Sequence, residues 1–81
     1  MPVEVAVQQS VTLFLPARPL SKTLARHDML GAGGKLVVDP MARSKTMFLD
    51  HAPLLVTPVT AIVDGEELSC LIDSSMVPAI A

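Results

Sequence analysis

The chain has 81 residues, a net charge of −2 and a mean hydropathy of +0.54, which allows one domain, residues 1–81. Six Lys and Arg against eight Asp and Glu offer no basic surface for nucleic acid, and the single cysteine, Cys70, excludes an internal disulfide framework. Hydrophobic residues make up 51% of the chain, with two Phe, no Tyr and no Trp; a second copy, a lipid or another protein is expected to cover what so short a monomer does not hide.

In chain order, Val3, Val5 and Val7 alternate with Glu4, Ala6 and Gln8, and Val11, Leu13 and Leu15 resume the parity. This is a strand pattern with a bulge near Gln9-Ser10, ended by Pro16 and Pro19. Residues 21–30 read as a short helix capped by Ser21 and stopped by Gly31, with a strand as the competing reading. Gly31-Ala32-Gly33-Gly34 is a turn without the Lys-Ser/Thr ending of a phosphate-binding loop. Lys35–Val38 is a short strand closed by Asp39-Pro40.

The middle, residues 41–56, reads two ways. Met41, Phe48, Leu49, Ala52, Leu55 and Val56 fall on one helical face, with Asp39-Pro40 as N-cap and first-turn proline. Met47/Leu49 and Leu54/Val56 also fit short strands, and Pro53 would cost a helix interior about 3 kcal/mol. Further on, Val59, Ala61 and Val63 alternate, Asp64-Gly65 follows, and Leu68, Cys70 and Ile72 alternate again, which is a hairpin signature. The apolar tail 76–81 is expected to pair or pack. No run approaches the roughly 18 apolar residues of a membrane span, and Met1-Pro2-Val3-Glu4 does not start like a signal peptide. A soluble or peripherally membrane-associated protein made in the cytosol is expected.

Chemistry-bearing patterns are sparse. His27 and His51 have no second ligand at helical spacing, Cys70 alternates with apolar neighbours as a packing residue does, and no serine sits in a Gly-x-Ser-x-Gly setting. No enzyme, metal or cofactor is expected. The bases Arg18, Lys22, Arg26, Lys35, Arg43 and Lys45 are confined to residues 18–45. That is either an ordinary solvated stretch or a surface suited to anionic lipid or an acidic groove.

Met41-Ala42-Arg43, then thirteen residues, then Thr57-Pro58, then Glu66-Glu67-Leu68 resembles accessory protein 9b of SARS-type coronaviruses, encoded in an alternative frame within the nucleocapsid gene. The N-terminal half is similar too: Leu13-Phe14-Leu15, then, after seven residues, Thr23-Leu24-Ala25-Arg26, Asp28 and a glycine-containing stretch. The resemblance spans roughly residues 13–68. It implies an all-β fold, an intertwined two-fold homodimer of short strands around a hydrophobic central cavity that holds a long-chain lipid or fatty-acid-like molecule. It also implies association with intracellular membranes of the host cytoplasm, including the mitochondrial outer membrane, or with the virion. In some members the middle segment, here about 36–63, refolds as a helix in a groove of the mitochondrial outer-membrane import receptor and dampens innate antiviral signalling. Arg43 matches the family's arginine there, and Leu49 a leucine of the helix face. Where the family has serines before Met-Ala-Arg, this chain has Leu36, Val37, Val38 and Asp39, and it carries Pro53 within the helix segment.

On that basis, alternation nominates Leu13, Leu15, Val37, Val59, Ala61, Val63 and Leu71 as lipid-lining residues, with the inward face open to inversion by a one-residue slip. Met41, Arg43, Phe48, Leu49, Ala52 and Leu55 are the candidates for partner docking. A reading from outside the family is a small viral structural subunit that buries its apolar face in a symmetric particle.

Overall fold

The structure, a computed structural model, describes residues 1–79. Seven strands form one antiparallel sheet: β1 (Val3–Ala6), β2 (Val11–Pro16), β3 (Leu24–Leu30), β4 (Lys35–Val38), β5 (Lys45–Leu49), β6 (Ala52–Val63) and β7 (Glu66–Asp73). A 3-10 helix, Ser74–Ala79, follows. The mainly-β expectation is met.

The predicted hairpin is the centre of the molecule. Asp64 and Gly65 both have positive φ, at 51° and 80°, as a type I′ turn requires, and Val63 pairs with Glu66 across them. β6 then runs in register with β7 from Val63↔Glu66 to Val56↔Asp73. The opposite edge of β6 is shared, since β4 pairs with residues 60–62 and β5 with residues 52–56. Sheet order is β1-β4-β6-β7-β2-β3 with β5 branching from β6.

Two apolar cores lie on opposite faces of this sheet. The first joins Val7, Val11, Leu13, Leu30, Leu36, Val59, Ala61, Cys70 and Ile72. Met76 and Val77 of the 3-10 helix pack against it, so the start of the apolar tail does pack, whereas Ile80 and Ala81 lie outside the described residues. The second core joins Phe14, Leu24, Met47, Val56 and Leu71, with Leu49 and Leu54 against it. Those side chains come from β2, β3, β5, β6 and β7. The Phe48 N–H donates to the Lys22 carbonyl at 2.8 Å, and Thr23 bridges Phe48 in parallel, so the same five strands form a circuit around the second core.

Three readings of the sequence are settled by pairing. Residues 21–30 are not a helix: Leu24–Leu30 is strand β3, against β2. Its register shifts between Phe14↔Arg26 and Leu13↔Asp28, leaving His27 as the extra residue of a bulge. The bulge inverts the parity, so Leu24 reaches the second core and Leu30 the first. A helix would have left both leucines without these partners. Ser21 still acts as an acceptor, but for the Thr23 N–H at 2.9 Å, which is a local turn and not a helix cap. The bulge expected at Gln9-Ser10 is instead a break between β1, which pairs with β4, and β2.

The middle segment takes the strand reading. Asp39 does cap a turn, accepting from the Met41 N–H at 2.9 Å, and the Ala42 N–H donates to the Asp39 carbonyl; after one turn the chain leaves to become β5. Asp50 and His51, with φ of 51° and 66°, reverse it into β6. Asp and His are among the few non-glycine residues enriched in that region. Pro53 is tolerated because hydrogen-bonded and non-bonded pairs alternate along a hairpin. Counting from Leu49↔Ala52 directs its nitrogen away from β5.

A hydroxyl cluster pins the end of the first core. Buried Thr57 lies 3.1 Å from Ser44 Oγ and 2.7 Å from Ser74 Oγ, and Ser74 donates to Ser44 at 3.1 Å. It ties the β5 entry and the 3-10 helix to β6, satisfying a polar group that would otherwise be costly to bury.

The turn Gly31–Gly34, closed by Gly34 N–H to Gly31 O at 2.9 Å, is tight at its last position. A Cβ on Gly34 would sit 2.6 Å from Leu30 Cγ and Cδ1 and 2.9 Å from the Gly31 carbonyl. Gly34→Ala is expected to destabilise the fold by about 1–3 kcal/mol, read as a lowered urea midpoint; an unchanged midpoint would show that the β3–β4 turn packs differently.

Candidate apolar groove

Even-numbered residues of β6 point to the face of the second core, but the five-strand circuit covers only part of that face. β4 pairing ends at Thr60↔Val37 and β5 pairing begins at Val56↔Lys45. Pro58 lies in the interval, where the edge of β6 has no partner strand among the described residues and a missing N–H costs nothing in the ladder. Asp39 and Ala42, from the link into β5, also line this gap. The result is a groove of about 360 Å³ lined by Pro2, Val37, Asp39, Ala42, Pro58, Val59, Thr60, Ser69 and Cys70.

A second groove of about 210 Å³ adjoins it, sharing Pro58, Ser69 and Cys70 and adding Leu15, Pro16, Lys45 and Leu71. Both are open to solvent. Leu15, Val37, Pro58 and Leu71 are apolar side chains bordering the two grooves, while Asp39 borders the first and Lys45 the second. Adjoining apolar grooves with a lysine at the border can accept a chain-like apolar ligand that has an anionic end.

The nominated lining residues do not share one surface. Leu13, Val59 and Ala61 are buried in the first core, and Leu15 packs against it while also reaching the second groove. Val37 is a wall of the first groove; Leu71 belongs to the second core and borders the second groove. Val63 is exposed at the hairpin end. Pro58, Thr60, Ser69 and Lys45 were not nominated. The β6 parity opposite to Val59 and Ala61 contains Pro58 and Thr60, and that was the available signal.

The docking candidates are dispersed by the hairpin. Met41, Arg43 and Ala52 are exposed, and Leu49 turns inward to the second core. Phe48 and Leu55 are exposed and share the outer parity of β5 and β6 with Pro53. Among the described residues no group of three or more His, Cys, Asp or Glu could hold a metal ion, and no helix is long and apolar enough to cross a membrane.

The chain matches no protein-family model, and no curated protein or solved structure matches it.

Cys70 borders both grooves but is 5% exposed. Burial pushes its thiol above the ordinary value, opposed by hydrogen bonding at the Ala61 backbone. A raised folded-state pKa gives stability that is complete below the unfolded thiol value and is lost as pH rises through the folded one. Cys70 is therefore expected to resist thiol reagents until the chain unfolds, and alkaline pH to lower the urea midpoint. Stoichiometric labelling of the folded protein within the mixing time would contradict this.

Proposed function

We propose that this chain is a homodimeric, lipid-binding and membrane-associated viral accessory protein, of the kind represented by accessory protein 9b of SARS-type coronaviruses, that modulates host innate antiviral signalling. The observation that carries the lipid-binding part is the pair of adjoining apolar grooves, the second of which is bordered by Lys45. A long-chain fatty acid or a lipid of similar shape lies with its chain over Val37, Pro58 and Leu15 and its acidic head at Lys45. The homodimer supplies the cover that the open side of the grooves needs: a second copy laid over them removes both lipid and groove floor from water. The β-rich architecture and the family resemblance of residues 13–68 favour this reading over an isolated monomer.

Native mass spectrometry after mild purification is the test. A dimer carrying lipid mass is expected, and Lys45→Glu should weaken uptake of a fluorescent long-chain fatty acid by about tenfold, the loss of one charge-assisted contact. A lipid-free monomer that takes up no fatty acid sinks the reading, and regular large assemblies would favour the structural-subunit alternative.

A second reading, docking to the mitochondrial import receptor, is favoured by the exposure of Met41, Phe48 and Leu55, at 80%, 40% and 52%. These three side chains belong to neither core, although forming the helix requires the β5–β6 pairing to open. A peptide of residues 36–63 is expected to gain helicity on receptor binding, and Phe48→Asp in the full chain to abolish receptor capture. Retained capture in that variant would remove this segment from the interface.

A further inference from the structure

The linker between β2 and β3 holds a feature that neither core nor groove uses. Its tip is a four-residue turn, Arg18-Pro19-Leu20-Ser21, closed by the Ser21 N–H donating to the Arg18 carbonyl at 3.0 Å. Proline at the second position and a φ of 63° at Leu20 make it a type II turn. The third position of such a turn belongs to Gly or Asn, because a side chain there crowds the backbone. A leucine occupies it here, and it is fully exposed, at 103% of its reference surface. The chain thus holds a large apolar side chain in an unfavourable backbone region where it meets only water.

Strain of this kind persists only where the surroundings enforce it, and it concentrates at functional positions. The surroundings here are firm. Ala17 N–H donates to Thr23 O at 2.7 Å, closing the linker at its base, and Thr23 N–H donates to Ser21 Oγ. Pro16 and Pro19 restrict the rest. Two bases flank the leucine, Arg18 and Lys22, both exposed. Phe48, partly exposed, lies beside the linker's end through its bond to Lys22. On the adjoining β5–β6 turn, Asp50 and His51 line a pocket together with Thr23 of the linker.

We infer that this turn is a membrane-insertion tip: Leu20 enters the headgroup–acyl boundary of a bilayer bearing anionic lipid, and Arg18 and Lys22 engage the anionic headgroups around it. The inference rests on the membrane-associated reading above but concerns a bilayer surface, not a single lipid in the groove. An apolar tip ringed by cations fits such an interface, because the leucine leaves water while the bases stay at headgroup level. Each base near an anionic surface strengthens partition about fivefold. Rigidity matters as well, since a tip already folded loses little freedom on binding. Two copies on one surface would multiply the effect.

The experiment uses the full chain with phosphatidylcholine vesicles, with and without phosphatidylserine. The protein has no tryptophan, so Leu20→Trp introduces a single reporter at the tip. Its emission is expected to shift to the blue on vesicles containing phosphatidylserine. Leu20→Gly is expected to lower co-sedimentation with those vesicles at least fivefold while raising the thermal midpoint, because glycine relieves the turn. Arg18→Gln with Lys22→Gln should lower binding to the anionic vesicles alone. If wild-type protein binds no vesicles, the membrane-associated reading and the tip fall together. If wild type binds but Leu20→Gly binds equally, or the tryptophan emission stays unshifted, the tip alone is overturned. A thermal midpoint lowered in Leu20→Gly would show that the leucine serves packing instead.

Discussion

The structure depends on the pairing of β6 with β7, two strands that contribute side chains to both cores. Val59, Ala61, Cys70 and Ile72 point to one core, while Val56 and Leu71 point to the other. A strand that is apolar on one face survives a register error by exposing grease; here a one-residue slip would also drive Thr60 and Pro58 into the place of Val59 and Ala61. The Asp64-Gly65 turn is what forbids the slip, because its two left-handed residues allow one closing pair, Val63↔Glu66. Everything else is attached to this ladder. β4 and β5 divide the free edge of β6, β2 meets β7 at Phe14↔Leu71, and the 3-10 helix is tied back through Thr57. The interval left between β4 and β5 is the groove.

Local chemistry made the strongest elements legible in the sequence. Asp-Gly between alternating runs led to the β6–β7 hairpin, and the short Lys35–Val38 run bounded by glycines and Asp-Pro led to β4. Elements that depend on distant partners were not legible. β3 has exposed residues from Ala25 to Met29 between two buried leucines, so neither a period of two nor one of 3.6 is present; only the bulge at His27 and two separate cores make sense of Leu24 and Leu30. Asp39 closes a local turn with its side chain, as an N-cap would, but the chain runs on into β5 and not into the expected helix. Asp50-His51 decided the matter, and a non-glycine pair in left-handed geometry is a weak signal in isolation. The groove was missed for the same reason: alternation assigns two faces to β6, and which face is left open depends on where β4 stops and β5 starts.

Composition announced a surplus of apolar side chain, and the fold shows where it goes. Leu13, Leu36, Val56 and Ile72 are hidden almost completely and Phe14 is buried in the second core, so one copy builds two cores mostly from aliphatic side chains. The remainder is sorted to the outside: the groove floor, the outer face of the β5–β6 hairpin with Phe48 and Leu55, and the isolated tip at Leu20. These are distinct surfaces with different neighbours. Asp39 and Lys45 border the first, Asp50 and His51 lie beside Phe48 of the second, and two bases flank the third. Separate apolar surfaces with separate charge settings suit separate partners better than one continuous aggregation-prone patch would.

The hairpin and the proposed receptor-bound helix of residues 36–63 can be weighed against each other on burial. Unzipping β5 from β6 withdraws Met47, Leu49, Leu54 and Val56 from the second core. At about 1.5–3 kcal/mol for a fully buried side chain, that forfeits more than the few kcal/mol by which two states of a switching protein usually differ. A helix at Pro53 adds about 3 kcal/mol more against it. The free chain is therefore held in the hairpin, and a helical population waiting for selection is negligible. What a receptor groove offers in return is burial of Met41, Phe48 and Leu55, which the hairpin leaves in water, together with Leu49 and Val56 on the same helical face. Those gains offset part of the losses. On the proposed docking, helix formation would therefore be coupled to receptor binding, because the free chain keeps Met47, Leu49, Leu54 and Val56 in the second core.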